Sequence, residues 1–166
     1  MARGQKKKTQ KGSAGLNRKQ TDAFLAKNAH RPEVVETSSG LQYEVLVQGE
    51  GDCPTSDCDV VVNQRITLID GTVIADTYRT GEKDIFSVTE AVEGLQEGLL
   101  LMPVGARYKF YVGPDLAWGK RGAGTKIGPY ATVIYDIRLE EIRPRPGFGH
   151  DAIARRHPLV HVVHKS

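Results

Sequence analysis

The chain has 166 residues, 39% of them hydrophobic and only 7% aromatic, which supplies one modest core and leaves little for a second domain. Its longest apolar runs, Val60 to Val62 and Leu99 to Met102, fall far short of the roughly 20 residues that a membrane-spanning helix needs, so no contact with a membrane is expected. The net charge of +3 hides two signs: residues 1–20 carry seven basic residues and no acid, residues 143–166 carry five basic residues against Asp151, and subtracting both leaves −8 for residues 21–142.

The amino terminus starts basic but never reaches the apolar stretch that secretion requires, and a cytoplasmic location is therefore expected. Residues 1–20, rich in Lys, Gln, Gly and Ser, have the composition of a segment that cannot offset its own ordering entropy, and read as a disordered basic tail. The run Lys6-Lys7-Lys8 is either a solvated end or a contact for polyanions such as ribosomal or other RNA, to which lysines bind by releasing counterions. Residues 21–35 read as a short helix and linker, with Thr21 or Asp22 as the helix cap and Pro32 as the stop.

Strict alternation from Leu41 to Val47 predicts a half-buried strand, closed by Gly49-Glu50-Gly51-Asp52. Cys53 and Cys58, the only cysteines, flank a turn; in a reducing compartment they are expected as free thiols, and without a second pair they make a poor zinc site. Val60 to Leu68 predicts a longer strand, joined through Asp70-Gly71 to a return strand near Thr72 to Ala75. From Glu90 the period changes. Val92, Leu95, Leu99 and Met102 recur at helical spacing, with Ser87 and Glu90 placed like a capping box, while Gly94 and Gly98 thin one side so that a strand can approach. Two more alternating runs, Arg107 to Val112 and Thr132 to Leu139, enclose a glycine-rich loop. Antiparallel strands wrapped around one short α-helix make an α+β fold. Residues 143–166 read as a second basic tail holding His157, His161 and His164, a weak metal set without cysteine or carboxylate support, and Leu159 to Val163 is apolar enough to dock as a short strand.

No hydrolytic elbow, phosphate loop or zinc-protease motif is present, and neither cofactor nor metal is expected. Two polar residues instead lie on apolar faces. Gln64 shares a strand side with Val60, Val62, Ile66 and Leu68, so its amide either bonds local backbone or forms the polar floor of a pocket. Tyr135 sits with Val133, Ile137 and Leu139 on the inner face of the last strand. Trp118, the only tryptophan, lies in a loop where a large aromatic has no core duty, and a binding role is expected for it.

The runs Leu68-Ile-Asp-Gly-Thr-Val, 94–106 (Gly-Leu-Gln-Glu-Gly-Leu-Leu-Leu-Met-Pro-Val-Gly-Ala), 114–129 (Pro-Asp-Leu-Ala-Trp-Gly-Lys-Arg-Gly-Ala-Gly-Thr-Lys-Ile-Gly-Pro) and 131–139 (Ala-Thr-Val-Ile-Tyr-Asp-Ile-Arg-Leu) resemble FKBP-type peptidyl-prolyl isomerases in order and spacing. Ser38 to Leu46 resembles the first strand of the macrophage-infectivity-potentiator subgroup. The resemblance spans Glu36 to Ile142 and implies a twisted antiparallel sheet curled over the Glu90 helix, with an apolar pocket between them for a proline ring. It implies a rotamase acting on X-Pro bonds in protein folding. Carried over by position, the substrate-binding residues are Gln64, Ile74, Phe86, Ala91, Val92, Leu95, Trp118 and Ile127, with the Val92 backbone N–H as a carbonyl anchor, and Tyr135 and Asp76 are the catalytic candidates.

Several positions depart from the family pattern. Gln64 stands where tyrosine is usual, Ile74-Ala75 where Phe-Asp is usual, Leu95 where tryptophan is usual, Gly128 where proline is usual, and Trp118 replaces a tyrosine. Asp76 lies one residue beyond the usual aspartate, a shift that reverses its face in a strand. Three readings follow: an isomerase of X-Pro bonds in polypeptides, a non-catalytic peptide-binding or chaperone module using the same groove, or a ribosome- or RNA-associated protein whose fold carries basic tails.

Overall fold

A computed structural model describes residues 13–144 and the two-residue strand Ile153–Ala154. The strands are β1 (Val35–Glu36), β2 (Gln42–Val47), β3 (Cys53–Pro54), β4 (Cys58–Leu68), β5 (Val73–Asp76), β6 (Asp84–Ser87), β7 (Arg107–Val112), β8 (Val133–Pro144) and β9 (Ile153–Ala154). Seven of them form one sheet in the order β1-β2-β7-β8-β4-β5, with β6 also paired to β4, and every pairing is antiparallel. The α+β fold expected from the sequence is the one observed.

Period-two patterning works as anticipated in β8, where Val133, Tyr135, Ile137 and Leu139 are buried and the residues between them are not. They close the core with Val60 and Val62 of β4 and Tyr108, Phe110 and Val112 of β7. The Glu93–Leu99 helix packs on this inner face through Leu95 and Leu99. Its glycines explain how closely it lies: a Cβ at Gly94 would meet Val112 Cγ1 at 2.5 Å, and one at Gly98 would meet the Phe110 ring at 2.5 Å. The Ser87/Glu90 capping box is present, with Glu90 accepting the Ser87 N–H at 2.9 Å, but it closes a separate 3₁₀ turn, Val88–Glu90. The helix proper starts after Val92, which caps it without a side-chain hydrogen bond.

The amino-terminal helix corrects the sequence expectation most. It runs from Ala14 to Asn28, eight residues earlier than a cap at Thr21 implies, and its N-cap is Ser13, whose hydroxyl accepts the Leu16 N–H at 3.2 Å. Thr21 is instead interior and buried. Tertiary bonds hold this weakly apolar segment in place: Asn17 donates to the Pro129 carbonyl at 3.0 Å and Thr21 to the Tyr130 carbonyl at 2.7 Å. Residues 1–12 lie outside the described residues.

Docking of this helix also overturns the simple alternation expected in β2. Gln42 and Glu44, on the outer face, are 2% and 8% exposed, whereas Val45, Leu46 and Val47 are each above 40%. The buried polar groups are satisfied. Gln42 accepts from Asn28 at 2.9 Å and donates to the Leu25 carbonyl at 3.0 Å. Glu44 accepts from the Tyr111 hydroxyl at 2.6 Å and pairs with Arg31 at 3.1 Å. Burial, and then the Glu44 bond, push Tyr111 up to about 12.

The return strand after Asp70-Gly71 is Val73–Asp76, and Gly71 takes φ +91 in the turn, a conformation that favours glycine. Cys53 and Cys58 are both buried. Cys53–Pro54 pairs with Ile153–Ala154 in a small second sheet. Leu159 to Val163 and the tail histidines lie outside the described residues. No helix among the described residues is long and apolar enough to cross a membrane.

Candidate functional site

Between the inner sheet face and the helix side lies a cavity of about 370 Å³ lined by Gln64, Phe86, Glu90, Ala91, Val92, Leu95, Trp118 and Tyr135. Six separate elements contribute to it. Gln64 comes from β4, Phe86 from β6, Tyr135 from β8, Glu90 to Val92 from the 3₁₀ turn and the residues after it, Leu95 from the helix, and Trp118 from the long loop. Of the ten site residues expected from the sequence, seven meet here. Ile127 is 6% exposed and belongs to the core, and Ile74 packs against that core; neither lines the cavity. Glu90, legible in the sequence only as a capping residue, is part of the wall.

Asp76 is placed elsewhere, as the reversed face of a one-residue shift implies. Its Oδ1 accepts the Arg79 N–H at 3.3 Å as the N-cap of a short helix, Thr77–Thr80, and its Oδ2 lies 3.4 Å from Arg65. That short helix in turn supports the site, because the Gln64 backbone N–H donates to Thr77 Oγ1 at 2.8 Å. Asp76 itself does not line the cavity; it caps the short helix whose Thr77 bonds Gln64.

The two polar side chains on apolar faces both enter the wall. Tyr135 is 3% exposed, and burial alone holds its hydroxyl well above the usual tyrosine range, so it stays protonated as a donor. Gln64 is 6% exposed; its Nε2 donates to Asp84 Oδ2 at 2.9 Å, and its Oε1 is buried with no hydrogen-bond partner among the described residues. An unpaired buried acceptor costs on the order of 1–3 kcal/mol, a cost that the fold sustains at its cavity. Asp84 was not foreseen: it lies 20 residues away in sequence and reaches Gln64 only because β6 pairs with β4, with Val62 opposite Asp84.

Trp118 is held by a loop that bonds to itself. The turn Pro114–Leu116 precedes it, the Gly119 N–H donates to Pro114 O at 2.9 Å, and the Gly122 N–H donates to Trp118 O at 3.1 Å. At the far end Tyr130 takes φ +56, uncommon for a residue with a side chain. Its N–H bonds Gly119 O at 2.9 Å, its carbonyl accepts from Thr21, and Arg18 stacks over its ring at 4.8 Å. The amino-terminal helix thus clamps the strained end of the loop that carries Trp118. We expect Thr21→Val, which removes that hydroxyl at nearly constant volume, to raise the hydrogen-exchange rate of the Gly119 and Tyr130 amides several-fold while the sheet amides keep theirs. Unchanged loop exchange would show that the clamp does not order the loop.

Comparison with known proteins agrees with the geometry. Residues 51–140 match the family described as FKBP-type peptidyl-prolyl cis-trans isomerase, and residues 1–45 match the domain amino-terminal to such isomerases. The chain is 40% identical over 132 residues to a probable FKBP-type peptidyl-prolyl cis-trans isomerase FkpA of Neisseria meningitidis, covering 80% of this chain and 48% of that protein. It is 40% identical over 119 residues to the FKBP-type 22 kDa peptidyl-prolyl cis-trans isomerase of Escherichia coli, covering 72% and 58%. It is 39% identical over 127 residues to the outer membrane protein MIP of Legionella longbeachae, covering 76% and 54%. Among solved structures, FkpA from Escherichia coli superposes with a TM-score of 0.77 at 34% identity, covering 80% of this chain and 62% of that one. The chain spans about half the length of the curated relatives it matches.

Proposed function

Since this chain belongs to the FKBP-type peptidyl-prolyl cis-trans isomerase family, we propose that it accelerates cis-trans rotation about X-Pro bonds of polypeptides in the cavity between helix and sheet. The observation that carries the reading is the convergence there of Phe86, Val92, Leu95 and Trp118 as apolar wall with Tyr135 as polar tip. Rotation crosses a barrier of about 18–20 kcal/mol because twisting breaks amide resonance. An apolar cavity wall favours the twisted, less polar amide over the planar one, and needs neither nucleophile nor metal to do so. The Val92 N–H holds the carbonyl of the proline, and the Tyr135 hydroxyl donates within the cavity.

A protein whose refolding is limited by an X-Pro bond tests this directly. Its slow phase speeds up in proportion to the amount of this chain added. A slow phase that keeps its rate, while the chain still binds proline peptides, removes the enzyme reading and leaves the peptide-binding or chaperone module.

Contact with RNA or ribosomes through residues 1–20 rests on charge alone, and Arg18 is engaged with the Tyr130 ring. For the compartment, the outer membrane protein among the relatives supports an envelope setting over the cytoplasmic one expected from the sequence; cell fractionation separates them.

A further inference from the structure

We propose that Gln64 reads the residue after the proline: its Oε1 accepts the backbone N–H of that residue, so the protein prefers X-Pro-Y segments in which Y supplies an N–H. The inference rests on the isomerase reading of the same cavity. Gln64 is 6% exposed, lines the cavity, and leaves Oε1 unpaired among the described residues. Its orientation is not free. Asp84 Oδ2 receives Nε2 at 2.9 Å, and a carboxylate only accepts, so a flipped amide would set oxygen against oxygen. The backbone of Gln64 is tied as well, through its N–H to Thr77 Oγ1 at 2.8 Å. An acceptor held from two sides, with no partner among the described residues, is left for whatever fills the cavity.

Beside the ring a prolyl segment has two backbone donors, the N–H of X before it and the N–H of Y after it, and the direction of the second selects it. Proline has no N–H, and the carbonyls of X and of proline only accept. The first backbone donor after the ring is the N–H of Y. In a trans amide this N–H points opposite to the carbonyl of the same peptide unit. With the proline carbonyl on the Val92 N–H, on the helix side, the N–H of Y is directed to the sheet side, where Gln64 stands in β4. A segment with proline, an N-alkyl residue or an ester at Y leaves Oε1 unpaired and is disfavoured.

The experiment compares an X-Pro-Ala peptide with its depsipeptide, in which an ester oxygen replaces the alanine nitrogen, each rate divided by its own uncatalysed rate. With the full wild-type chain, kcat/KM for the amide exceeds that for the ester about tenfold, the size of one hydrogen bond. Gln64→Met, an apolar side chain of similar length, brings the ratio near one by lowering the amide rate, and Gln64→Asn, which withdraws the acceptor by one methylene, does the same. Equal acceleration of amide and ester by wild type overturns this inference alone, as does a tenfold ratio that survives in either variant. No acceleration of either peptide overturns the isomerase reading and this inference with it.

Discussion

Trp118→Ala is expected to lower kcat/KM for X-Pro peptides roughly 10- to 60-fold while changing folding stability by less than about 1 kcal/mol. An indole that walls a cavity offers on the order of 60–100 Å² to a ligand, and at about 25 cal/mol per Å² its loss removes about 1.5–2.5 kcal/mol of binding to the seated ring. Stability is spared because Trp118 is only partly buried and its loop is held by backbone bonds, Gly119 N–H to Pro114 O and Gly122 N–H to Trp118 O. Trp118 stands where the family uses a tyrosine, and Leu95 where it uses a tryptophan, so the aromatic surface of the site rests largely on Phe86, Trp118 and Tyr135. Removing one of three is a large fraction of it. Equilibrium denaturation alongside the kinetics separates the effects: a fall in activity matched by a fall in stability would mean that the loop had collapsed.

Gly98→Ala is expected to destabilise the protein by about 2 kcal/mol, even though alanine is the better helix former by roughly 1 kcal/mol. The new methyl would stand 2.5 Å from Phe110 Cε1, 2.7 Å from Cζ and 2.8 Å from Cδ1. That ring cannot retreat. Phe110 is fully buried, with the Tyr43 and Tyr108 rings 6.0 and 5.9 Å away, and overpacking of such a site costs about 1–3 kcal/mol or more. The clash outweighs the propensity, and thermal unfolding should shift down by about 4–8 °C. Gly15→Ala provides the contrast. It lies in the amino-terminal helix with nothing within 4 Å of its added methyl, so the propensity acts alone and the shift is upward. A downward shift there, or an upward one at Gly98, would contradict the packing described for these two helices.

Much of the fold was legible because a two-sided sheet writes its period into the chain. In β8 the inward residues Val133, Tyr135, Ile137 and Leu139 alternate without exception. The Glu93–Leu99 helix announced itself through the spacing of Leu95 and Leu99 and through glycines that nothing but a close strand would require. What could not be read was structure created by distant partners. The amino-terminal helix has little apolar surface of its own, and is fixed by carbonyls of Pro129 and Tyr130 more than 100 residues away. For the same reason Gln42 and Glu44 looked like solvent-facing positions of a half-buried strand, and became buried only when that helix covered them.

The site divides along the same line. Gln64, Tyr135 and Trp118 stood out as side chains at odds with their surroundings, and all three line the cavity. The positions of Asp84 and Asp76 depend on register: Val62 lies opposite Asp84 and Arg65 opposite Asp76. Register is set by which strands pair, which one strand's sequence does not state.

Whether the cavity turns X-Pro bonds is read from exchange spectroscopy on a short X-Pro peptide. Magnetisation transfer between the cis and trans forms is recorded with the wild-type chain, with Trp118→Ala and without protein. The account predicts rapid exchange with wild type, much slower exchange with Trp118→Ala, and none on that timescale without protein. Equal exchange with and without the wild-type chain, at concentrations where the peptide binds, would contradict it.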